Sequence, residues 1–242
     1  MRAFSRKNSD RRPTSIELDF NKNSDGSALI STGNTKVLCT ANISQGVPKF
    51  LREKPQGWLT AEYSMLPGAT KSRTDREASR GKQQGRTIEI QRLIGRSLRS
   101  CLDLKLIPGY TITVDCDVLQ ADGGTRSAAI TGGYVALVRA IQSFQYRGGF
   151  KKDPLIDSVT AISLGLIKNT KLIDLDYKED QAADADINLV FNKQLELIEI
   201  QGTAEGKAFS LEALTKLVQL SYPAVKSLQE IQQNAIFQPE TV

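Results

Sequence analysis

The sequence of 242 residues predicts an α+β protein in which each half of the chain passes through several strands before it reaches its helices. Short segments that alternate apolar and polar residues, separated by turn signals, predict the strands. Longer segments with apolar residues at helical spacing follow them. A Gly- and Pro-containing boundary at residues 147–154 divides the chain. We therefore predict one compact globular unit built from two halves, residues 1–150 and 151–242.

The composition excludes several classes of protein. The chain is 40% hydrophobic and 24% charged, as is typical of globular proteins in water. No apolar run approaches the roughly 20 residues needed to span a bilayer, and the N-terminal segment lacks the apolar centre of a signal peptide. The three cysteines are widely spaced in apolar surroundings and predict buried free thiols in a reducing compartment. We expect a cytoplasmic protein with no membrane partner.

The chain contains no histidine. This absence excludes Ser-His-Asp and Cys-His nucleophilic sites and zinc or nuclease chemistry based on histidine. Any catalysis must use carboxylates, cations, hydroxyls, backbone dipoles or a bound metal. The net charge of +5 is moderate, so its distribution along the chain is more informative than its size.

The first half begins with a polar, basic segment and continues as an antiparallel meander. Turn signals at residues 23–26 and 33–34 separate three short strands. An irregular excursion at residues 47–60, with two prolines, leads to a further strand. The four strands are predicted at residues 15–20, 27–31, 36–43 and 61–66.

Residues 67–86, here called the basic loop, contain almost no apolar side chains. A loop of about 20 residues in a compact domain is more often functional than incidental. Its cations suit a nucleic-acid backbone, and the alternative is a solvated flexible loop. The basic residues are Lys71, Arg73, Arg76, Arg80, Lys82 and Arg86.

Residues 87–102 predict an amphipathic helix. We expect Thr87 to be its N-cap and Glu89 to lie in its first turn, where the dipole favours negative charge. Arg86 comes just before the helix and can reach an anion near a helix N-terminus. A cationic stripe at helical spacing lies beside the apolar stripe. It consists of Arg92, Arg96 and Arg99.

A glycine-rich turn at residues 120–127 separates an alternating strand, 111–119, from an amphipathic helix, 128–144. Unpaired N–H groups at a helix N-terminus attract an anion, and glycines let it approach closely. The turn is therefore either a phosphate site or an ordinary capped helix start. Its candidate phosphate-binding residues are Gly124, Thr125, Arg126 and Ser127.

The second half predicts four strands and a long C-terminal helix, 210–236, with a kink at Pro223. The strands are predicted at residues 159–167, 171–177, 186–191 and 195–202. Between two of them, residues 174–186 carry a dense group of carboxylates. Hard oxygen ligands of this kind favour Mg²⁺ or Mn²⁺, and the alternative is an acidic surface turn. Asp174 and Asp176 are predicted as solvent-facing strand residues.

A site that combined the turn, the basic residues and the acidic segment would act on phosphates. No Gly-x-x-x-x-Gly-Lys-Ser/Thr motif is present, which argues against a P-loop nucleotidase.

Several long stretches make the sequence similar to the ribonuclease PH family over nearly the whole chain. These stretches are GNTKVLC at 33–39, AEYSMLP at 61–67, GRTIEIQRLIGRSLR at 85–99, QADGGTR at 120–126, DLDYKED at 174–180, Asp186, and EIQGTAE at 199–205. The resemblance implies two related βα halves of the ribosomal protein S5 domain 2-like fold packed together. It also implies a homo-hexamer, a trimer of dimers. One departure is Gly68, where family members often carry arginine.

The resemblance further implies a phosphorolytic 3′-to-5′ exoribonuclease, or tRNA nucleotidyltransferase, that trims tRNA precursors and other RNA 3′ ends. Inorganic phosphate would be the co-substrate, held by Arg86, Thr125, Arg126 and Ser127. Asp180 and Asp186 would be the catalytic residues and would hold Mg²⁺, with Mn²⁺ as an alternative. The expected RNA contacts are Arg73, Arg76 and Arg80, together with Arg92 and Arg96.

Three other functions compete with this one. The catalytic core of polynucleotide phosphorylase would need added RNA-binding domains, for which 242 residues leave no room. A non-catalytic ring subunit of an exosome-type complex would need neither the two arginines nor the two aspartates, which are all present. A phosphate-sensing RNA-binding protein would respond to phosphate without forming product.

Overall fold

The computed structural model describes residues 2–205 and 208–237. This part of the chain forms an α+β fold with two sheets, as predicted, and four short 3-10 helices in addition to the main elements. The strands and α-helices are β1 (Thr14–Leu18), β2 (Gly26–Thr32), β3 (Thr35–Gln45), β4 (Trp58–Met65), α1 (Gly85–Arg99), β5 (Tyr110–Gln120), α2 (Thr125–Tyr146), β6 (Thr160–Ile167), β7 (Thr170–Ile173), α3 (Tyr177–Gln181), β8 (Ala185–Phe191), β9 (Leu197–Ala204) and α4 (Leu211–Ile236).

The first sheet has the strand order β1-β2-β3-β5-β4. Its first three strands form the predicted antiparallel meander. β5 pairs antiparallel with β3, and β4 lies parallel to β5. The second sheet has the order β7-β6-β8-β9 and is antiparallel throughout. The alternation that predicts β5 is confirmed, because every second residue from Ile112 to Val118 is buried.

Helix α2 joins the two halves, because it contacts β2, β3 and β5 in the first sheet and β6 and β8 in the second. Most of its residues are buried. One continuous apolar core includes α2 together with Val159, Ala161 and Val190 of the second half. Burial of each large aliphatic side chain contributes about 1.5–3 kcal/mol, so the two halves stabilise one another across residue 150. The placement of a domain boundary there stays a prediction.

The start of α1 differs from the sequence prediction. The helix begins at Gly85 and its N-cap is Gln84, whose side chain makes no capping hydrogen bond. Thr87 is therefore not the N-cap, and Glu89 lies beyond the first turn. The physical reason is a competing partner, because the Thr87 hydroxyl donates to a carboxylate oxygen of Glu77 at 2.6 Å.

The acidic segment also differs from its prediction. β7 ends at Ile173, and Asp174 has a positive φ of 56°, which ends the extended backbone. Asp174 and Asp176 are each only 6% exposed, so the prediction that they are solvent-facing strand residues is wrong. Residues far away in the chain cover both of them: Arg12 binds the Asp174 carboxylate, and Arg6 lies 3.6 Å from a carboxylate oxygen of Asp176.

Three further predictions concern the cysteines, the C-terminal helix and the membrane. Cys39, Cys101 and Cys116 are buried free thiols, as predicted. Pro223 lies inside α4, which continues from Leu211 to Ile236. Among residues 2–205 and 208–237, no helix has the length and apolar content needed to cross a membrane.

Candidate active site

The glycine-rich turn places backbone N–H groups at the start of α2. Gly123 and Gly124 both have positive φ values, 76° and 64°, which glycine adopts without steric cost. A Cβ on Gly123 would lie 2.6 Å from the carbonyl carbon of Asp176, so the turn packs directly on the acidic segment. Gly124 is the N-cap and provides no side-chain cap. The first N–H groups of α2 therefore suit an anion, as the sequence predicts.

The three residues after Gly124 are held by partners that the sequence analysis did not identify. The Thr125 hydroxyl accepts a hydrogen bond from Tyr63 at 2.9 Å, and Ser127 donates to the side-chain oxygen of Asn188 at 3.3 Å. Burial raises the pKa of the Tyr63 phenol, which keeps Tyr63 a donor at neutral pH. The Thr125 bond therefore fixes the turn to β4 within the first half, and the Ser127 bond fixes it to β8 of the second half.

Arg126 lies between α1 and β9. Its guanidinium donates to the amide oxygen of Gln201 at 2.7 Å and lies 3.6 Å from a carboxylate oxygen of Glu89. Gln201 also donates to Glu89 at 2.6 Å. These contacts hold the Arg126 guanidinium beside the glycine-rich turn. Both of them involve the same terminal nitrogen of the guanidinium.

Asp180 is carried by the one-turn helix α3. A helix this short is not stable alone, and a capping box stabilises it: the Asp176 carboxylate accepts from the N–H groups of Lys178 and Glu179, and the Glu179 carboxylate accepts from the Asp176 N–H, all at 3.0 Å. The N-terminal segment holds the same helix, because Arg2 donates to Glu179 at 2.7 Å.

Asp186 lies near the start of β8, within 3.4 Å of the Asn188 amide nitrogen. Burial raises the pKa of Asp186, the charge of Asp180 raises it further, and Arg126 and Arg86 oppose both effects. Burial also raises the pKa of Asp180, and the charges of Arg86 and Arg126 oppose this increase. The structure therefore brings Arg86, Arg126, Asp180 and Asp186 into one electrostatic environment, although they come from four different elements.

The two aspartates fit a divalent cation. Both carboxyl groups are half-buried, and the charge of Asp180 raises the pKa of Asp186, a repulsion that a cation would relieve. Mg²⁺ keeps several of its waters and is held by one or two carboxylates plus substrate phosphates. Within the part of the chain that the structure describes, no three His, Cys, Asp or Glu side chains are grouped to hold a metal by themselves, so water and phosphate oxygens would complete the coordination.

The basic loop covers a cavity of about 600 Å³ beside this site. Arg76 and Arg86 line the cavity, whereas Arg73 and Arg80 bind Asp75 at 3.2 and 2.7 Å. Acidic residues, Glu62, Asp115 and Asp117, line the same cavity, and the sequence did not predict them there. Burial, together with the charge of Glu62, raises the pKa of Asp115 and of Asp117 there.

The remaining predicted RNA contacts, Arg92 and Arg96, lie at a different place. They line a cavity of about 320 Å³ beside Trp58. Arg96 forms an ion pair with Glu199 of β9, and Arg99 donates to the Leu59 carbonyl at 2.9 Å. The structure therefore does not bring Arg92 and Arg96 into the cavity that holds Arg76 and Arg86.

The raised pKa of Asp186 predicts a pH-dependent change in stability. Because folding raises this pKa, the stability linked to it is complete below the ordinary value and is lost as pH rises through the raised value. Asp186→Asn removes the ionised form. We expect the variant to have a higher melting temperature than the wild type at pH 7. The increase should be about 2–4 °C for each kcal/mol that the substitution adds to the free energy of unfolding.

This difference should disappear as the pH falls below about 4, the ordinary range of an aspartate. The measurement is calorimetry in EDTA across pH, with Asp184→Asn, at an exposed position in the same segment, as the control. A difference that is the same at every pH would contradict the assigned cause.

Comparison with known proteins gives two kinds of match. Residues 10–141 match domain 1 of the 3′ exoribonuclease family, and residues 157–223 match domain 2. Together the two matches cover more than half of the chain.

Among solved structures, rice (Oryza sativa) Rrp46 is 21% identical with a TM-score of 0.79, covering 97% of this chain and 100% of that one. The Archaeoglobus fulgidus exosome with RNA bound to the active site is 20% identical with a TM-score of 0.79, covering 95% of this chain and 91% of that one. An archaeal exosome core is 18% identical with a TM-score of 0.73, covering 94% and 89%. At these identities the structural likeness shows the fold.

Proposed function

We propose that this chain, which belongs to the 3′ exoribonuclease family, is a phosphate-dependent exoribonuclease that trims the 3′ ends of tRNA precursors. The observation that carries the proposal is the shared electrostatic environment of Arg86, Arg126, Asp180 and Asp186. Cations next to an anion-suited helix start would hold inorganic phosphate. Carboxylates with raised pKa values beside them suit proton transfer or metal binding.

In the proposed reaction, an oxygen of inorganic phosphate attacks the phosphorus of the last 3′-phosphodiester. A phosphorus–oxygen bond forms to the attacking oxygen, and the bond to the 3′-oxygen of the preceding nucleotide breaks. The products are a nucleoside diphosphate and an RNA shortened by one nucleotide. Arg86 and Arg126 offset the repulsion between the two phosphates. Because phosphorolysis is close to reversible, the same site would also add nucleotides from diphosphates.

The departing 3′-oxygen needs a proton or a positive charge. Asp180 and Asp186 both have raised pKa values, so a larger fraction of either is protonated near neutral pH than for an ordinary aspartate, and either can donate a proton to that oxygen. A bound Mg²⁺ would instead supply positive charge to the leaving oxygen.

The proposed assembly is a cytoplasmic homo-hexamer, a trimer of dimers. The resemblance of the sequence to the ribonuclease PH family supports this assembly. Light scattering after size exclusion measures the number of subunits. A mass of six chains is the expected result, and a stable monomer under the conditions of the RNA assay would contradict the ring.

A non-catalytic ring subunit is the second candidate, because two of the matched structures are exosomes. A scaffold needs no phosphate or carboxylate site, and the four charged residues favour the enzyme. The two functions are separated by incubating a 3′-labelled tRNA precursor with Mg²⁺, with and without inorganic phosphate. Diphosphates released only with phosphate support the enzyme, monophosphates released without phosphate indicate hydrolysis, and bound but intact RNA supports the scaffold.

Neutralising the basic loop should weaken the binding of structured RNA. Arg73, Arg76 and Arg80 are exposed, and each phosphate contact contributes about 0.7 (single strand) to 0.9 (duplex) to the magnitude of the slope of log affinity against log salt. Replacing all three by glutamine should reduce that magnitude by about 2–3 if each contacts a phosphate. The control replaces three exposed lysines elsewhere, Lys151, Lys152 and Lys193, with the same change in net charge. An unchanged slope in the loop variant would identify a solvated loop.

A further inference from the structure

Arg12 is the most deeply buried charged residue among those that the structure describes, with 1% of its surface exposed. A guanidinium is rarely buried unless it is paired and hydrogen-bonded. Two of its nitrogens donate to one carboxylate oxygen of Asp174, at 2.6 and 3.1 Å, and its backbone N–H donates to the other at 2.6 Å. This ion pair is the first of two connections that Arg12 makes.

The second connection reaches the glycine-rich turn. The remaining guanidinium nitrogen of Arg12 donates to the carbonyl oxygens of Asp122 and Gly123, at 2.7 and 3.3 Å. A Cβ on Gly124 would lie only 2.7 Å from Arg12, so the turn fits closely around the guanidinium. One side chain therefore touches the turn before α2 and the segment before α3.

The Asp174 side of this connection has an unusual backbone. Its φ of 56° lies in the left-handed region, which costs free energy in non-glycine residues and persists where the surroundings hold it. Three hydrogen bonds from Arg12 to its carboxylate and one from Arg6 to its carbonyl, at 2.7 Å, do so here. Asp174 starts the segment that leads through the Asp176 cap to Asp180.

We propose that Arg12 and Asp174 form a positioning pair that sets the phosphate-binding turn at a fixed distance from the helix that carries Asp180. The inference rests on the function proposed above. Neither residue touches the substrate in this account. The pair acts through the backbone of residues 122–124 on one side and through the α3 cap on the other. It therefore controls the position of the attacking phosphate relative to the carboxyl group of Asp180.

The test compares Arg12→Lys with Asp174→Asn. Lysine keeps the charge but cannot contact both segments, because it lacks the planar fork. Asparagine keeps the shape and tolerates the left-handed backbone. We expect both folded variants to bind inorganic phosphate at least tenfold more weakly by calorimetry, and to show a higher KM for phosphate and a lower kcat. If Arg12→Lys does not fold, Asp174→Asn decides alone.

The matched control is Arg11→Lys. Arg11 is adjacent and half-buried, and it donates to Ser227 on α4 and to the Arg12 carbonyl, but not to the turn or to Asp174. The phosphate affinity of Arg11→Lys should therefore be that of the wild type. A purely structural role for Arg12 would reduce the folded fraction and leave the KM for phosphate unchanged. An unchanged phosphate affinity and KM in folded Arg12→Lys or Asp174→Asn would overturn the proposal.

The double variant tests whether the two residues act as a pair. The double variant should bind phosphate no more weakly than whichever single variant binds it more weakly. A loss of binding free energy equal to the sum of the two single losses would contradict pairing. Phosphate binding is measured without RNA, so a wild type that binds phosphate but releases no diphosphate refutes the proposed function and still allows the pair to be judged. A wild type that binds no phosphate overturns both.

Discussion

Asp180→Asn and Asp186→Asn should each lower the rate of phosphorolysis by about 10²–10⁴-fold, the range typical of a lost general acid or base. RNA should remain bound, because the basic residues to which RNA binding is assigned are unchanged in both variants. Loss of the negative charge also removes the cation site proposed for these two carboxylates. Single-turnover rates with a labelled tRNA precursor, together with filter binding of the same RNA, separate the chemical step from binding.

Asp184→Asn is the control for this pair of variants. Asp184 lies between the two aspartates in sequence, is exposed, and accepts the Lys168 N–H at 2.6 Å, a bond that asparagine can keep. Its rate should match the wild type. Wild-type rates in both Asp180→Asn and Asp186→Asn would remove these residues from the mechanism.

Arg126→Ala should raise the phosphate concentration needed for half-maximal rate. A hydrogen bond to a charged group contributes about 1.5–3 kcal/mol, which corresponds to a rise of about 10- to 150-fold in the KM for phosphate. Folding should change little, although Glu89 and Gln201 lose a partner. Initial rates across phosphate concentration measure the effect, and Arg126→Lys, which keeps the charge, should lie between Arg126→Ala and the wild type.

The opposite end of the same helix provides the control. Arg147, the C-cap residue of α2, is exposed and pairs with Asp25, so Arg147→Ala should leave phosphate saturation unchanged. Normal saturation in Arg126→Ala would show that the turn binds phosphate without this side chain or does not bind it at all.

The sequence predicts the parts of the fold that depend on local patterns. The strands of the meander, the alternating strand β5 and the helix α2 follow from periodicity and turn residues, and the structure confirms each of them. Their ends are less well predicted. The N-terminus of α1 is the example, because the Thr87 hydroxyl binds Glu77 in the basic loop and does not cap the helix.

Features that depend on distant partners were not predictable. Asp174 is buried because Arg12, 162 residues earlier in the chain, binds its carboxylate. From its local sequence alone, the segment around Asp174 resembles an exposed strand. The supporting residues Tyr63 and Gln201 were missed for the same reason, since each meets the glycine-rich turn only after β4 and β9 are in place. Both residues lie in stretches that resemble the ribonuclease PH family, 61–67 and 199–205, and this resemblance is the signal that could have identified them.

The most direct test of the central claim follows the phosphorus atom of inorganic phosphate. Radiolabelled phosphate is incubated with unlabelled tRNA precursor, Mg²⁺ and the wild-type protein, and the nucleotides are separated. Attack by phosphate requires that the label appear in the β-phosphate of the released nucleoside diphosphates, in an amount equal to the nucleotides removed. RNA shortening without label in the product would show that water is the nucleophile and would contradict the account.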